Sequence, residues 1–109
     1  MIKDLGERKV FSSGMQRDVT TGKILFRLVL KGPMFNRWAQ QLTLGAIKYG
    51  VDNWMKAEGQ EELDRFEDSA MRHFVQWMNG ETDEDHAAAV FFNINGAEYV
   101  KDRLKGESA

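Results

Sequence analysis

The chain has 109 residues, 42% of them hydrophobic, and no cysteine, which indicates one folded domain and excludes disulfides and thiolate zinc sites. The formal net charge of −2 argues against a large electrostatic surface for nucleic acid, so no nucleic-acid partner is expected. No apolar run approaches the roughly 20 residues that cross a bilayer, and no signal-peptide core is visible. We therefore expect a cytoplasmic protein with no membrane partner.

Residues 1–32 are predicted to form an extended arm. The stretch from Ser12 to Lys23 is polar and contains two glycines, and Lys23 is a candidate for binding an anion. The alternative is that this stretch is simply solvated. The run Ile24–Leu30 (ILFRLVL) is short and apolar, which is consistent with a strand or a packed extended segment. A lone strand would have to pair with another chain or lie against the helices.

A helical core is predicted over residues 33–104, followed by a frayed tail at 105–109. Its first helix is expected from Met34 to Tyr49, with Pro33 near its first position and Gly50 after its end. The loop that follows contains Trp54. Its ring is suited either to stacking on a base or to closing the end of the bundle.

The next helix has an unusual carboxylate on its apolar side. Its apolar stripe at helical spacing consists of Leu63, Phe66, Ala70, Phe74 and Trp77. At about 100° per residue, Glu67 falls inside this stripe, with Asp64 and Asp68 at its border. A carboxylate on a buried face is costly unless it is paired, protonated or bound to a metal. Glu67 is therefore the best sign of a functional site that the residues alone provide.

A second acidic helix follows Gly80. Thr82 is predicted to cap it, with the run Asp83–His86 as its first turn. Two helices joined by a short connection run antiparallel, and oxygen ligands from facing helices suit a hard ion such as Mg²⁺. The simpler alternative is that the acids cap a helix or solvate an edge, and that His73 and His86 are ordinary edge histidines.

Four segments in order resemble a known family. They are RDVTTGK at 17–23, GAIKYGVDNW at 45–54, DSAMRH at 68–73 and GETDEDHAAAVFFN at 80–93. Together they are similar to the dATP/dGTP diphosphohydrolase N-terminal domain family of many phages, a MazG-like group. The resemblance implies an all-α pyrophosphohydrolase fold, dependence on Mg²⁺ with Mn²⁺ as an alternative, and cleavage of a deoxynucleoside triphosphate to monophosphate and pyrophosphate. It places a phage-encoded protein in the host cytoplasm.

Combined with this resemblance, the acidic and basic residues give a site hypothesis. Metal ions are expected at Asp64, Glu67, Asp68, Asp83, Glu84 and Asp85. Catalytic roles are expected for Glu67, Asp68 and His86. Substrate contacts are expected from Lys23, Lys48, Tyr49, Asn53, Trp54, Arg72 and Asn93. The cations would hold phosphates, and the aromatic and amide side chains would hold base and sugar.

The complete prediction is an all-α, MazG-like helical bundle with an extended N-terminal arm, formed by one domain over residues 1–109 and completed by homo-oligomerisation. Two alternatives stay open. One is a phage protein that binds or sequesters a nucleotide without hydrolysing it, because His86 stands where MazG-type enzymes carry Asp. The other is an interaction bundle without a ligand, in which the acidic runs are only caps and solvated faces.

Overall fold

The computed structural model of the chain describes residues 7–19 and 22–108, and the account below concerns those residues. Within them, helices make up most of the chain, which confirms the all-α prediction. In chain order the elements are β1 (Arg8–Val10), β2 (Gln16–Asp18), a 3-10 helix (Phe26–Leu30), α1 (Met34–Tyr49), a second 3-10 helix (Asn53–Lys56), α2 (Gln60–Met78) and α3 (His86–Ser108).

Helix α1 begins and ends where the sequence predicts. Pro33 precedes its first residue, and the N–H of Gly50 donates to the Ala46 carbonyl at 2.9 Å. Gly50 has a φ of +96°, which glycine adopts at little cost. One side of α1 packs on α3, where the rings of Trp38 and Phe91 meet edge-on with centroids 6.3 Å apart. On either side of this contact, α1 contributes residues to a separate cavity.

The apolar core lies at one end of an antiparallel pair formed by α2 and α3. Gly96 of α3 allows the two helices to approach closely, because a Cβ atom there would lie 2.5 Å from the Phe66 ring of α2. We call this region the core end. It consists of Ala57, Leu63, Ala97 and Val100, with Phe66, Tyr99 and Leu104 packed around them.

The connection between α1 and α2 is tied to the core end by two side chains of α3. The hydroxyl of Tyr99 donates to the Met55 carbonyl at 2.8 Å, and Arg103 reaches the carbonyls of Met55 and Ala57 at 3.2 and 3.4 Å. The Trp54 ring meets Tyr99 edge-on, with centroids 5.2 Å apart. These contacts hold the second 3-10 helix against the bundle.

Helix α3 begins later than predicted. The expected cap at Thr82 is wrong, since residues 79–85 form a connection and the helix starts at His86. The cap is Asp85, whose Oδ1 accepts a hydrogen bond from the N–H of Ala88 at 3.1 Å. Both Asp85 oxygens are also bound by Arg37 of α1, so a distant contact selects this carboxylate as the cap.

The predicted strand at Ile24–Leu30 is also wrong. Residues 26–30 form an exposed 3-10 helix, and the Phe26 side chain is 73% exposed. The strands that do occur in the described part of the arm are β1 and β2, which pair with each other from Arg8 opposite Asp18 to Val10 opposite Gln16. An isolated strand has no partner to satisfy its edges, which explains why the apolar run does not extend.

Helix α3 continues past residue 104, where the predicted core ends, through Lys105 to Ser108. Ala109, residues 1–6 and the pair Thr20–Thr21 of the arm lie outside the described residues. None of the described helices has both the length and the apolar character required to cross a membrane.

Candidate functional site

Buried polar side chains gather at the opposite end of the α2–α3 pair from the core. His86, the first residue of α3, is only 2% exposed, and His73 of α2 lies beside it with ring centroids 5.1 Å apart. Because the helices are antiparallel, the last turns of α2 meet the start of α3. We call His73, the connection 79–85 and His86 the polar end.

A chain of short contacts joins three side chains of the polar end. The Nδ1 atoms of His73 and His86 are 2.9 Å apart, and His86 Nε2 lies 2.8 Å from Asp83 Oδ1. In the tautomer that satisfies both contacts, His86 donates from Nε2 to Asp83 and accepts at Nδ1 from His73. Both nitrogens of His86 are therefore engaged within the chain.

The surroundings of His73 favour its neutral form. Burial lowers the pKa of His73, Arg72 and His86 lower it further, and the carboxylates of Glu84 and Asp83 oppose that change. The hydrogen bond from His86 lowers the pKa of the Asp83 carboxyl group. A neutral imidazole offers a lone pair, as a metal ligand or a hydrogen-bond acceptor requires.

Arg37 of α1 holds the connection from its other side. Its Nε and Nη2 atoms donate to the two oxygens of Asp85 at 2.8 and 2.6 Å, a bidentate pair. Asp85 raises the pKa of Arg37, and the hydrogen bonds from Arg37 lower the pKa of Asp85. The pair fixes the acidic connection against α1.

A groove of about 430 Å³ lies between α1 and this connection, and we call it the charged groove. Cations from α1 face carboxylates from the connection across it. Its lining residues are Arg37, Gln40, Gln41, Leu44, Lys48, Asp83, Glu84 and Asp85. The structure thus brings predicted site residues from two distant parts of the sequence, Lys48 and the run 83–85, into one cavity.

The residues predicted to contact base and sugar line a different cavity, of about 270 Å³, which we call the loop pocket. Tyr49, Asn53 and Trp54 all contribute to it, together with Phe92 of α3. The charged groove and the loop pocket use different faces of α1, since Lys48 lines the first and Tyr49 the second. Trp54 borders the pocket and also packs edge-on against Tyr99 of α3.

The acidic residues of α2 lie apart from the charged groove. Glu67 is on the predicted side of its helix, in a groove with Met71, Phe74 and Ile94, but it is exposed rather than buried. Asp64 accepts a hydrogen bond from Gln60 at 2.8 Å, and Asp68 is exposed. In the described parts of the chain, the groups of side chains close enough to share a metal ion contain no α2 carboxylate.

Three other predicted site residues have distinct surroundings. Arg72 is exposed on α2 next to His73. Asn93 is buried, and its Nδ2 donates to the Ala89 carbonyl one turn earlier at 2.8 Å. Lys23 is exposed on the arm and is absent from the lining of both the charged groove and the loop pocket.

Sequence reasoning assigned no site role to Arg37 or His73. Arg37 precedes Lys48 by eleven residues, a spacing of about three helical turns that places both side chains on the same face of α1. This spacing was a usable sign that the two cations share a site. His73 had no such signal, because its contact with His86 joins residues of two separate helices.

The structure defines an all-α protein with a charged groove and a buried histidine at one end of a helix pair. The sequence profile described as "dATP/dGTP diphosphohydrolase, N-terminal" matches residues 13–106, and the chain belongs to that family. The family name describes an N-terminal domain. Searches of curated proteins and of solved structures found no match.

Proposed function

We propose that the chain is a metal-dependent nucleotide pyrophosphohydrolase that cleaves a deoxynucleoside triphosphate, with dATP and dGTP as its substrates, to a monophosphate and pyrophosphate. Family membership supports the reaction class. The observation that carries the proposal is the charged groove, in which Lys48 and Arg37 share a cavity with Asp83 and Glu84. A triphosphate with its metal ion requires both charges, cations for phosphate oxygens and carboxylates for the metal.

In this proposal the cations of the groove bind the phosphates. Lys48 is a flexible point charge that suits a phosphate oxygen. Arg37 uses Nε and Nη2 on Asp85, which leaves its Nη1 hydrogens for a further acceptor. Asp85 then orients Arg37 rather than contacting the substrate. Arg72 and Lys23 stay candidates for outer phosphate contacts.

The residues of the groove fit the metal ion that the family implies. Mg²⁺ keeps several waters and needs only one or two carboxylates when substrate phosphates supply other ligands, and Asp83 and Glu84 line the groove beside Lys48. Bound there, Mg²⁺ would neutralise developing charge and lower the pKa of a water molecule. The roles of Asp64, Glu67 and Asp68 as metal ligands or catalytic groups stay predictions. Within one chain these residues do not line the charged groove, so such roles require that another chain supplies them.

We propose that a second copy of the chain brings the α2 carboxylates Asp64, Glu67 and Asp68 to the charged groove. The accessible area is 8615 Å², compared with about 6,200 Å² for an ordinary monomer of this mass. Part of the exposed apolar surface lies near Glu67, which shares a groove with Met71, Phe74 and Ile94. Exposed apolar side chains of α2 and α3 include Met71, Phe74, Val75, Trp77, Met78, Phe91 and Ile94. We expect light scattering to give a homo-oligomer, and a stable monomer would contradict this part of the proposal.

The loop pocket is the proposed site for base and sugar. Tyr49 and Trp54 offer ring faces and Asn53 an amide that can donate and accept. Lys48 and Tyr49 are consecutive, so one end of α1 borders both the phosphate and the base regions. A nucleotide that spans them would wrap around this end of α1.

The experiment incubates the full chain with each dNTP and NTP, in Mg²⁺ or in EDTA, and resolves the products by chromatography. We expect monophosphate and pyrophosphate only with the metal, and from dATP and dGTP first. Lys48→Gln should lower kcat/KM about 10- to 100-fold, the loss of one charged hydrogen bond. Lys31→Gln, which removes an exposed lysine outside the groove, is the matched control and should leave kcat/KM unchanged.

Binding without hydrolysis is the second candidate, and one observation favours it. His86, one of the residues predicted to have a catalytic role, is buried with both nitrogens engaged by His73 and Asp83. Intact nucleotides in every reaction, together with calorimetric binding that Lys48→Gln weakens, would establish a nucleotide-binding protein. Neither turnover nor binding would leave the interaction bundle as the explanation.

A further inference from the structure

The two histidines of the chain converge with a carboxylate at the polar end. The Nδ1 atoms of His73 and His86 are 2.9 Å apart, and one atom from each histidine and one carboxylate oxygen of Glu84 lie within 4.8 Å of one another. The three ligand atoms come from α2, the connection and α3. This cluster shares the Glu84 carboxylate with the oxygen ligands proposed for Mg²⁺ and adds two imidazole nitrogens to it.

The spacing of the two nitrogens fits a shared metal ion. Two nitrogen ligands about 2.1 Å from one ion are about 3.0 Å apart when the ion is octahedral and about 3.4 Å apart when it is tetrahedral. A hydrogen bond between the rings has the same length but requires a proton between the nitrogens. An ion would replace that proton beside the line that joins the two nitrogens, and the half-buried His73 ring would turn so that both lone pairs point to the ion.

The other side of His86 supplies a second, independent observation. Its Nε2 lies 2.8 Å from Asp83 Oδ1, so an Nε2–H donor keeps the lone pair on Nδ1, where it faces His73. Histidines that bind metals usually donate their second nitrogen to a carboxylate in this way. Because the ring is 2% exposed, its orientation is fixed before any ion binds.

We propose that His73, His86 and Glu84 bind a divalent transition-metal ion such as Zn²⁺, Co²⁺ or Ni²⁺. Imidazole nitrogens suit these ions, whereas Mg²⁺ prefers oxygen ligands throughout. The ion links the last turns of α2 to the connection and to the start of α3, and so it stabilises the polar end. The proposal does not depend on nucleotide hydrolysis.

A neighbouring group offers the competing arrangement. Glu81, Asp83 and His86 also have one ligand atom each within 4.8 Å of one another. It contains one nitrogen and two exposed carboxylates, and His73 takes no part in it. His73→Gln therefore removes a ligand from the first group only, and Glu81→Gln from the second only.

The experiment titrates the full chain, freed of metal with EDTA and dialysed, with Co²⁺ followed by its visible absorption and with Zn²⁺ followed by calorimetry. We expect one ion per chain, a Co²⁺ spectrum typical of nitrogen ligands, and binding that persists in millimolar Mg²⁺. His73→Gln should weaken binding at least tenfold, and Glu84→Gln, which changes an exposed residue and threatens folding least, should also weaken it. Glu81→Gln should have no effect.

Several results would overturn the proposal. These are no uptake of Co²⁺ or Zn²⁺ by the folded wild-type chain, unchanged affinity in both His73→Gln and Glu84→Gln, or a loss of affinity in Glu81→Gln alone. Thermal unfolding gives a further readout, since Zn²⁺ should raise the Tm of the wild type more than that of His73→Gln. Activity with Mg²⁺, measured on the wild type and on His73→Gln, shows separately whether the proposed enzyme fails, because Glu84→Gln removes a ligand from both proposed metal sites.

Discussion

The two ends of the α2–α3 pair differ in what they bury. The core end buries aliphatic side chains such as Leu63 and Val100, whereas the polar end buries the imidazole of His86 within a network that involves His73 and Asp83. Burying apolar groups stabilises a fold directly, but burying an imidazole stabilises it only if its hydrogen bonds are satisfied. We therefore expect stability to depend mainly on the core end, whereas the polar end contributes only while its hydrogen bonds are satisfied.

Shortening an apolar side chain at the core end should lower the free energy of unfolding more than any other change proposed below. Leu63→Ala removes a side chain that is 6% exposed and should lower the free energy of unfolding by about 2–5 kcal/mol. Arg65→Ala, at an exposed position two residues further along the same helix, is the control and should change it by less than about 0.5 kcal/mol. Urea unfolding followed by circular dichroism measures both. Equal effects would contradict the assignment of the core.

Helix approach at the core end is tested by a pair of glycines. Gly96→Ala places a Cβ atom 2.5 Å from the Phe66 ring and should destabilise the chain by about 1–3 kcal/mol. Gly45→Ala in α1 meets nothing within 4 Å and should stabilise it by about 0.4–1 kcal/mol. The test is that the two substitutions change the free energy of unfolding in opposite directions. Stabilisation by both changes would show that α2 and α3 are farther apart.

The contact between the polar end and α1 should contribute less to the free energy of unfolding than the core end does. Asp85→Ala removes the cap of α3 and the partner of Arg37, and we expect a loss of about 1–2 kcal/mol. Asp68→Ala, at an exposed position inside α2, is the matched change and should be nearly neutral. Thermal unfolding of the metal-free proteins gives the comparison. Equal Tm values would show that Asp85 is dispensable for the start of α3.

The pH dependence of stability gives the smallest and most specific test. The pKa of His73 lies below the ordinary value of 6.5, so the unfolded chain binds a proton more readily than the folded one. In EDTA, the contribution of His73 is therefore complete above pH 6.5 and is lost as the pH falls through the lowered pKa. His73→Gln should flatten the dependence of Tm on pH between 7 and 5. An unchanged slope would remove His73 from the buried network.

Local signals predicted the helices, and distant contacts explain the errors. Pro33 and Gly50 delimit α1 by their own backbone preferences, and the stripe that begins at Leu63 identifies α2. The predicted start of α3 is wrong because the cap is Asp85, which is held by Arg37, a residue 48 positions earlier in the chain. Glu67 lies on the predicted side, but its burial depends on what covers α2, which periodicity does not encode.

The same distinction applies to the candidate site. Residue type identified Lys48 and the acidic run as candidates, and the structure brings them into one groove. No local pattern could pair His73 with His86, because their contact depends on how two antiparallel helices align. Sequence therefore indicates the chemistry of the site more readily than the pairing of its residues.

The most direct test of the account is the location of a bound nucleotide, measured by amide chemical-shift changes when a dATP analogue with a non-cleavable α,β-methylene bridge is added with Mg²⁺. The account predicts the largest changes around Lys48 and the connection 79–85, with a second set at Asn53 and Trp54. Changes confined to the α2–α3 groove around Glu67, or no changes at saturating analogue, would contradict the assignment of the charged groove as the triphosphate site.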